Sequence, residues 1–328
     1  MRCRHERHGA GAVRRERGVS LVELVVAMLL GVLLLAGAVT VFMQDNSVSR
    51  TAAPVSRLEE TLRAAFDALE PDIRMASYWG LTTRAEFVTN AAGPAARRTA
   101  TDALVDNNCG VNWTANLAQF IDARAKGNYD LTCPASGPPP RSDVLIVRRA
   151  SASPTAPLAG RIQIQTNRKA GQLFADGVVP DGFGAAPRSE THDLVVHAYY
   201  VGAIAPTADG LPRLALRRQT LSQDARGRPR VVDMVVVPGI VDLQVQFGVA
   251  TGDGDSADVY VDPGAPELAS GRVVSVKLLL AAMSDQPETG EVNGPQRVRG
   301  DHGPGPSADH RRRIVMQQTI ALRDAQDP

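Results

Sequence analysis

The chain of 328 residues is long enough for a membrane segment and one large or two small domains. Its formal net charge of +1 hides an asymmetry, because residues 1–18 carry +4, which leaves −3 for residues 19–328. A mildly acidic body lacks the basic surface that follows a phosphate backbone, which argues against a nucleic-acid-binding protein. The sequence also contains no Walker loop, nucleophile elbow or zincin helix, so we expect no enzymatic activity.

The first predicted element is a transmembrane helix over residues 19–43, in which Glu23 is the only ionisable residue. About 20 apolar residues suffice to cross the hydrocarbon core as a helix. A charge inside such a span costs at least about 2.5–3.5 kcal/mol, so it usually marks a functional contact. The arginines before the helix predict a cytoplasmic N-terminus and an exported remainder after about residue 44. A secretory signal peptide, whose apolar core has only about 7–15 residues, and an uncleaved anchor are the alternatives.

The basic leader RRERG ends at Gly18, and Glu23 is the fifth residue after that glycine. This arrangement resembles the class III signal of type IV prepilins. The resemblance implies that a prepilin peptidase removes residues 1–18 by cutting between Gly18 and Val19, and then methylates the new amine of Val19. Among lipid-embedded helices, Glu23 would pair with the N-terminal amine of a neighbouring subunit and so set the register of the two helices. A carboxylate that extends to the headgroups is the alternative.

The helix is predicted to continue as an amphipathic second half within residues 44–80, from Val55 to Ser77, packed on a sheet. Pro54 should kink or break it near Ala53, and Gly80 is a plausible C-terminal residue. The apolar stripe consists of Leu58, Leu62, Phe66, Leu69, Ile73 and Ala76.

Residues 81–141 carry turn and breaker signals with little periodicity, which predicts an irregular region with at most a short helix around Leu117–Ala125. Of the three cysteines, Cys3 lies in the leader and would be lost on cleavage. Cys109 and Cys133 then form an even pair in an exported region, which predicts one disulfide. Two free thiols are the alternative.

Residues 142–328 are predicted to form a β-rich globular domain. Several strands alternate, so that Val241, Leu243 and Val245 fall on the face opposite Asp242 and Gln244. Such alternation indicates an antiparallel sheet with one face in water, and strands that follow one long helix indicate an α+β fold. The prepilin resemblance implies that this fold is pilin-like. The strand signals are DVLIVRR, RIQIQ, HDLVVHAYYV, PRLALRRQ, RVVDMVVV, IVDLQVQFGV, RVVSVKLLLAAM and RRRIVMQQTIAL, the last preceded by a Gly/Pro-rich loop over Asp285–Asp309.

Two polar groups are candidates for metal binding. His192 and His197 flank a strand and should point to opposite faces, so we expect them to be surface histidines with hydrogen-bond partners, not ligands. The segment TGDGDSADVYVD could hold calcium, although a solvated hairpin turn is the alternative. We therefore expect no firm metal site and no cofactor, with weak calcium candidates at Asp253, Asp255, Asp258 and Asp262.

Several segments in the same order resemble the PilW family of minor pilins. That family is implied to join other minor pilins and the major pilin in a complex that primes the type IV pilus or caps its tip. The implied partners also include prepilin peptidase, the inner-membrane assembly platform and a large tip adhesin, with the C-terminal domain in the periplasm before assembly. The segments are RMASYWG (Arg74–Gly80), SDVLIVRRA (Ser142–Ala150), GIVDLQVQFGVATGDGDSADVYVD (Gly239–Asp262), VVSVKLLL (Val273–Leu280) and RRRIVMQQTIALRD (Arg311–Asp324).

Three positions depart from the family pattern. Val19 stands where an aromatic residue or Met is usual, and Leu81 stands where relatives often carry a cysteine; Pro54 interrupts a helix that is usually unbroken. The alternatives to this family are a J-type minor pseudopilin of type II secretion, which shares the signal and an α+β domain, and a membrane-anchored periplasmic binding protein.

Overall fold

The computed structural model describes residues 20–82, 84–89, 109, 113–133, 142–183, 187–206, 212–252, 254, 256–287 and 310–322. The chain divides into two compact units, Met1–Pro54 and Val55–Pro328. The helices are α1 (Leu21–Arg74) and α2 (Glu267–Ser270), and a single 3-10 turn covers Ala85–Phe87. The strands are β1 (Val88–Thr89), β2 (Ile121–Arg124), β3 (Val144–Ala150), β4 (Gln163–Thr166), β5 (Gly171–Phe174), β6 (Glu190–Pro206), β7 (Pro212–Gln223), β8 (Pro229–Pro238), β9 (Ile240–Ala250), β10 (Val259–Val261), β11 (Arg272–Met283) and β12 (Arg313–Ala321).

The long helix α1 is continuous through Pro54, so a break near Ala53 is wrong, and the alternative of a kink there stays a prediction. A proline removes one main-chain donor from a helix.

The helix ends at Arg74, earlier than the predicted Ser77 or Gly80. Ser77 takes a left-handed conformation with φ of 74°, which terminates the helical path, and its N–H donates to the carbonyl of Arg148 at 3.4 Å. Gly80 lies beyond the helix with φ of +92°, and a Cβ there would come within 2.6 Å of the Thr166 hydroxyl. Glycine is therefore needed at position 80 for the close approach to β4.

The strands form two sheets, and each of the eight predicted strand segments is confirmed. The larger sheet has the order β1-β5-β4-β6-β3-β2, with the β7–β8 hairpin attached to β6, and the smaller sheet has the order β10-β9-β11-β12. All pairings are antiparallel except the short parallel pair β1–β5. The helix considered around Leu117–Ala125 is wrong, because β2 occupies part of it and pairs with β3.

The apolar stripe of α1 forms the first core together with one face of each sheet, as predicted. Its members are buried against residues such as Leu145 and Tyr199 of the larger sheet and Leu243 and Leu278 of the smaller one. Burial of apolar surface stabilises the folded state by about 25 cal/mol per Å². The contact of the α1 stripe with both sheets is therefore a principal reason that the two sheets stay together. The stripe comprises Leu58, Leu62, Phe66, Leu69, Ile73 and Ala76.

The larger sheet is covered on its other face as well, so the expectation of one wet face is wrong for this sheet. A second core contains Trp79, Trp113 and Leu117 on the covering segments and Ile146 and Tyr200 on the strands. Six of the seven residues of β3 are buried, which is the continuous pattern of a strand covered on both sides.

A β-bulge near the start of β9 changes which side chains point inward. Asp242 pairs with Ala281 but Ile240 pairs with Ala282, so Val241 is the extra residue. Ile240 takes the core position predicted for Val241, and Asp242, predicted to face water, is only 7% exposed. Burial raises the pKa of Asp242 to about 6; the amide of Gln244, which donates to the carboxylate at 2.9 Å, opposes the shift.

We predict that Asp242→Asn increases the free energy of unfolding at pH 8 by up to about 3 kcal/mol, because the buried carboxylate is ionised there. The folded-state pKa lies above the unfolded value, so the proton is retained on folding between about pH 4 and 6. The gain should therefore shrink as the pH falls through this range and vanish below it. Urea unfolding at several pH values checks this, and a gain independent of pH would contradict it.

A buried ion network fastens α1 to the larger sheet. The Asp72 carboxylate of α1 accepts hydrogen bonds from Arg149 Nε at 3.0 Å and Nη2 at 2.8 Å, and from the Tyr199 hydroxyl at 2.6 Å. His197 Nδ1 also contacts this carboxylate. Burial alone would raise the pKa of Asp72, but these donors and the Arg149 charge hold it below its usual range. Burial lowers the pKa of His197, and the hydrogen bond and charge of Asp72 oppose that shift.

We predict that Asp72→Ala lowers the free energy of unfolding by about 3–5 kcal/mol, since it leaves the Arg149 guanidinium buried without its partner. Asp67→Ala is the matched control, because Asp67 is exposed on the same helix, and it should change stability by no more than about 0.5 kcal/mol. Urea unfolding followed by the fluorescence of the buried Trp79 and Trp113 measures both variants. Equal stability of the two variants would show that the network does not hold the helix.

Candidate assembly site

The N-terminal part of α1 is an apolar helix surface with one ionisable residue, Glu23. Leu21–Thr40 is 20 residues long with a mean hydropathy of 2.6, which is long and apolar enough to cross a membrane. Its side chains are exposed, with Leu21 at 78% and Leu34 at 75%. Such a surface is unstable in water and requires lipid or other apolar helices around it.

Glu23 lies in the first turn of this helix. A negative charge is favourable there because the helix dipole places partial positive charge at its N-terminus. Among the described residues Glu23 has no hydrogen-bond or ion-pair partner. Its carboxylate is one turn before Ala27 and two turns before Gly31 on the same face of the helix, where small side chains allow another helix to approach. The geometry leaves the carboxylate available to a cation from a second molecule.

The remaining predicted residues fall in different parts of the chain. Gly18 and Val19, the residues on either side of the predicted cleavage bond, lie outside the described residues, as do Asp253 and Asp255. Asp258 accepts hydrogen bonds from the main chain of Thr251 at 2.8 Å and from its hydroxyl at 2.9 Å, and these bonds lower the pKa of Asp258. Asp262 instead accepts from Gln246 at 2.8 Å. The described residues hold no group of three or more metal-binding side chains, and the calcium site stays a prediction.

Both histidines of β6 are buried, so the expectation of surface histidines is wrong. His192 is fully buried, and its Nδ1 donates to the carbonyl of Ser151 at 2.8 Å, with Glu190 3.2 Å from Nε2. His197 joins Asp72 in the ion network. Both rings have partners as predicted. They lie on opposite faces of β6, because their positions differ by five and side chains alternate between the two faces of a strand.

Cys109 and Cys133 form a disulfide with their Cα atoms 4.5 Å apart. The segment that they enclose covers the second core and is also held by Arg148. This guanidinium is 1% exposed, and its Nε donates to the carbonyl of Trp113 at 2.6 Å while Nη1 donates to that of Gln119. Burial lowers the pKa of Arg148 to about 10, and backbone carbonyls take the place of a carboxylate partner.

Sequence reasoning missed two residues that hold other elements on the larger sheet. Arg148 fixes the disulfide-bonded segment to one face of the sheet, and Asp72 fixes α1 to the other face. Arg148 and Arg149 follow a continuous apolar run, VLIV, at the end of a buried strand. Two charged residues at the end of such a run are a signal for buried partners, because a charge is rarely buried unpaired.

Two family models match the chain. The model described as Type IV Pilus-assembly protein W matches residues 198–324, which include β7 to β12, and the model described as Prokaryotic N-terminal methylation motif matches residues 13–39. No protein of curated function matches. A type IV-like pilin from Thermus thermophilus aligns at 10% identity over 51% of this chain and 87% of that chain, with a TM-score of 0.20, a likeness too distant to bear on the fold.

An N-terminal methylation motif on an apolar helix, followed by an α+β domain, is the arrangement of a pilin-like protein of the prepilin type. More particularly, the C-terminal strands are similar to the Type IV Pilus-assembly protein W family, whose model matches residues 198–324.

We predict that replacing both Cys109 and Cys133 with Ser lowers the free energy of unfolding by roughly 3.5 kcal/mol, because the bond closes a loop with a sequence separation of 24. Urea unfolding under oxidising conditions measures the loss. Adding a reductant should bring the wild-type protein to the stability of the double variant and leave the variant unchanged. A wild-type protein that is insensitive to reductant would contradict a stabilising disulfide.

Proposed function

We propose that the protein is a minor pilin of the type IV pilus and that it acts in a small complex of minor pilins that primes assembly of the pilus or caps its tip. Its partners in this proposal are other minor pilins, the major pilin, prepilin peptidase and the inner-membrane assembly platform, with a large tip adhesin as a further partner. The role is structural, without catalysis. Before assembly the chain spans the inner membrane once, with its C-terminal domain in the periplasm.

The observation that carries the proposal is the carboxylate of Glu23, which has no partner among the described residues and lies on an exposed apolar helix. Removal of residues 1–18 would create an amine at Val19, and methylation of that amine leaves it able to carry a positive charge. The amine of one subunit is a suitable cation for Glu23 of its neighbour, because both lie at the same end of the helix. Such a pair would set the axial register of the subunits, which is the best-attested use of a buried ion pair.

The match to the Type IV Pilus-assembly protein W family supports the pilus over the type II secretion alternative, since it covers most of the C-terminal strands. The N-terminal methylation motif supports processing by a prepilin peptidase.

We predict that Glu23→Ala and Glu23→Gln leave processing intact but reduce recovery of the protein with sheared pili and with the minor-pilin complex by about tenfold, because an ion pair worth roughly 1.4 kcal/mol is lost. Val32→Ala, which changes another exposed side chain of the same helix, is the control and should preserve recovery. Intact-mass analysis of the membrane-extracted protein should show a chain that begins at methylated Val19, about 2 kDa lighter than the precursor.

Three outcomes would contradict the proposal in different ways. Normal piliation and normal complex recovery with Glu23→Ala would show that the carboxylate does not guide assembly. A mature protein that still carries residues 1–18 would show that the chain is an anchored membrane protein and is not processed as a pilin. Recovery with a secretion complex in place of pili would favour the pseudopilin alternative.

A further inference from the structure

A pocket of about 560 Å³ lies at one end of the larger sheet, where β4 turns into β5 and where β6 begins. Small-molecule sites in proteins have volumes of about 300–1,000 Å³, so the pocket is large enough to hold a ligand. It is separate from the candidate assembly site and from both cores. Its six lining residues are Leu81, Asn167, Arg168, Lys169, Pro187 and Arg188.

The strand register brings the three cations of this pocket together. Thr166 of β4 pairs with Glu190 of β6 at the end of their antiparallel ladder. Arg168 lies two residues after Thr166, and Arg188 lies two residues before Glu190. Because antiparallel strands run in opposite directions, both arginines come at the same distance beyond this last pair. Lys169 follows Arg168 in the turn between β4 and β5.

The backbone of the pocket is fixed by hydrogen bonds. Asn167 Oδ1 accepts from the main-chain N–H groups of Lys169 and Ala170, both at 2.8 Å, which closes the turn after β4. The Leu81 N–H donates to the Thr166 hydroxyl at 3.2 Å and so holds the segment after α1 against the same end of β4. Binding to a backbone that is already ordered costs less conformational entropy.

The lining offers positive charge and hydrogen-bond donors but no acidic side chain. Arg168, Lys169 and Arg188 are exposed and have no ion-pair partner among the described residues. The carboxylate closest to them in sequence, that of Glu190, contacts His192 Nε2 at 3.2 Å and does not line the pocket. Three positive charges thus meet at one place, although residues 19–328 carry a net charge of −3. A ligand for this pocket must supply negative charge and hydrogen-bond acceptors.

We propose that the pocket binds the phosphate group of a phosphate monoester. Each guanidinium can bind a phosphate through two parallel N–H···O bonds, and the ammonium of Lys169 adds a third charge. A phosphate monoester carries about −1.5 to −2 charges at pH 7, which matches three cations better than the single charge of a carboxylate. The uncharged side chains of Leu81 and Pro187 line the rest of the pocket and leave space for the organic part of the ligand. This inference goes beyond the proposed function and does not depend on it.

Isothermal titration calorimetry of the full-length protein in a nonionic detergent tests the proposal. Inorganic phosphate and glucose 6-phosphate should both bind, the second at least as tightly as the first. Glucuronate, which has one carboxylate on the same sugar ring, should bind at least about tenfold more weakly than glucose 6-phosphate. Dissociation constants above about 10 mM for both phosphates would overturn the proposal, as would glucuronate that binds as tightly as glucose 6-phosphate.

Three variants test whether the ligand binds in this pocket. Arg168→Gln and Arg188→Gln should each weaken the binding of glucose 6-phosphate by at least about tenfold, because each removes a charge and a pair of donors. Arg226→Gln is the matched control, since Arg226 is also an exposed arginine in a hairpin turn, between β7 and β8, and it should change the affinity by less than about twofold. Melting temperatures should stay close to that of the wild type, because all three side chains are exposed. Unchanged affinity in the two pocket variants, or an equal loss in the control, would overturn the proposal.

One further probe distinguishes the two sources of a phosphate monoester. Dihexanoyl phosphatidic acid carries this group on a short-chain lipid. Binding that is tighter than that of glucose 6-phosphate and is weakened by Arg168→Gln would assign the ligand to a lipid headgroup, whereas weaker binding would assign it to a soluble phosphate ester; both results support the phosphate site. Failure of every phosphate to bind would overturn the site and leave the proposed pilus role intact, because that role depends on Glu23 and not on this pocket.

Discussion

The contact between the apolar stripe of α1 and both sheets is the constraint on which the rest of the structure depends. The stripe from Leu58 to Ile73 is buried against the larger and the smaller sheet together. Without the helix, each sheet would expose an apolar face to water, and neither sheet could bury that face alone. The same helix carries Glu23 and the apolar surface that the membrane would cover. One element thus contributes both to the core of the globular unit and to the candidate assembly site.

Charged groups determine the orientation of α1 on this core. Apolar contacts are less directional and specify that orientation less well. Asp72 requires the two donors of Arg149, and Tyr199 and His197 satisfy its remaining acceptor positions. A rotation of α1 about its axis would separate this carboxylate from Arg149 and leave two charges buried without partners, at a cost of several kcal/mol. The network therefore fixes the rotational setting of the helix, whereas apolar burial supplies most of the stabilising free energy.

The sequence alone was sufficient to predict the features that depend on a local pattern of residues. The helical stripe and the strands follow from their hydrophobic periods. Glu23 and its spacing from Gly18 form one continuous motif, so the candidate site could be recognised without the fold. Features that depend on distant contacts could not be predicted: Asp72 and Arg149 are 77 residues apart in the chain. The burial of Asp242 depends on a bulge whose presence is set by the pairing of β9 with β11.

Arg148 and Arg149 are consecutive residues of β3, yet they serve opposite faces of the sheet. Arg148 holds the carbonyls of the disulfide-bonded segment, and Arg149 holds the carboxylate of α1. Force on α1 that reaches Asp72 would therefore enter the larger sheet at β3, a strand paired with β2 on one side and with β6 on the other. Such a strand resists separation better than an edge strand, because hydrogen bonds on both of its sides would have to break together.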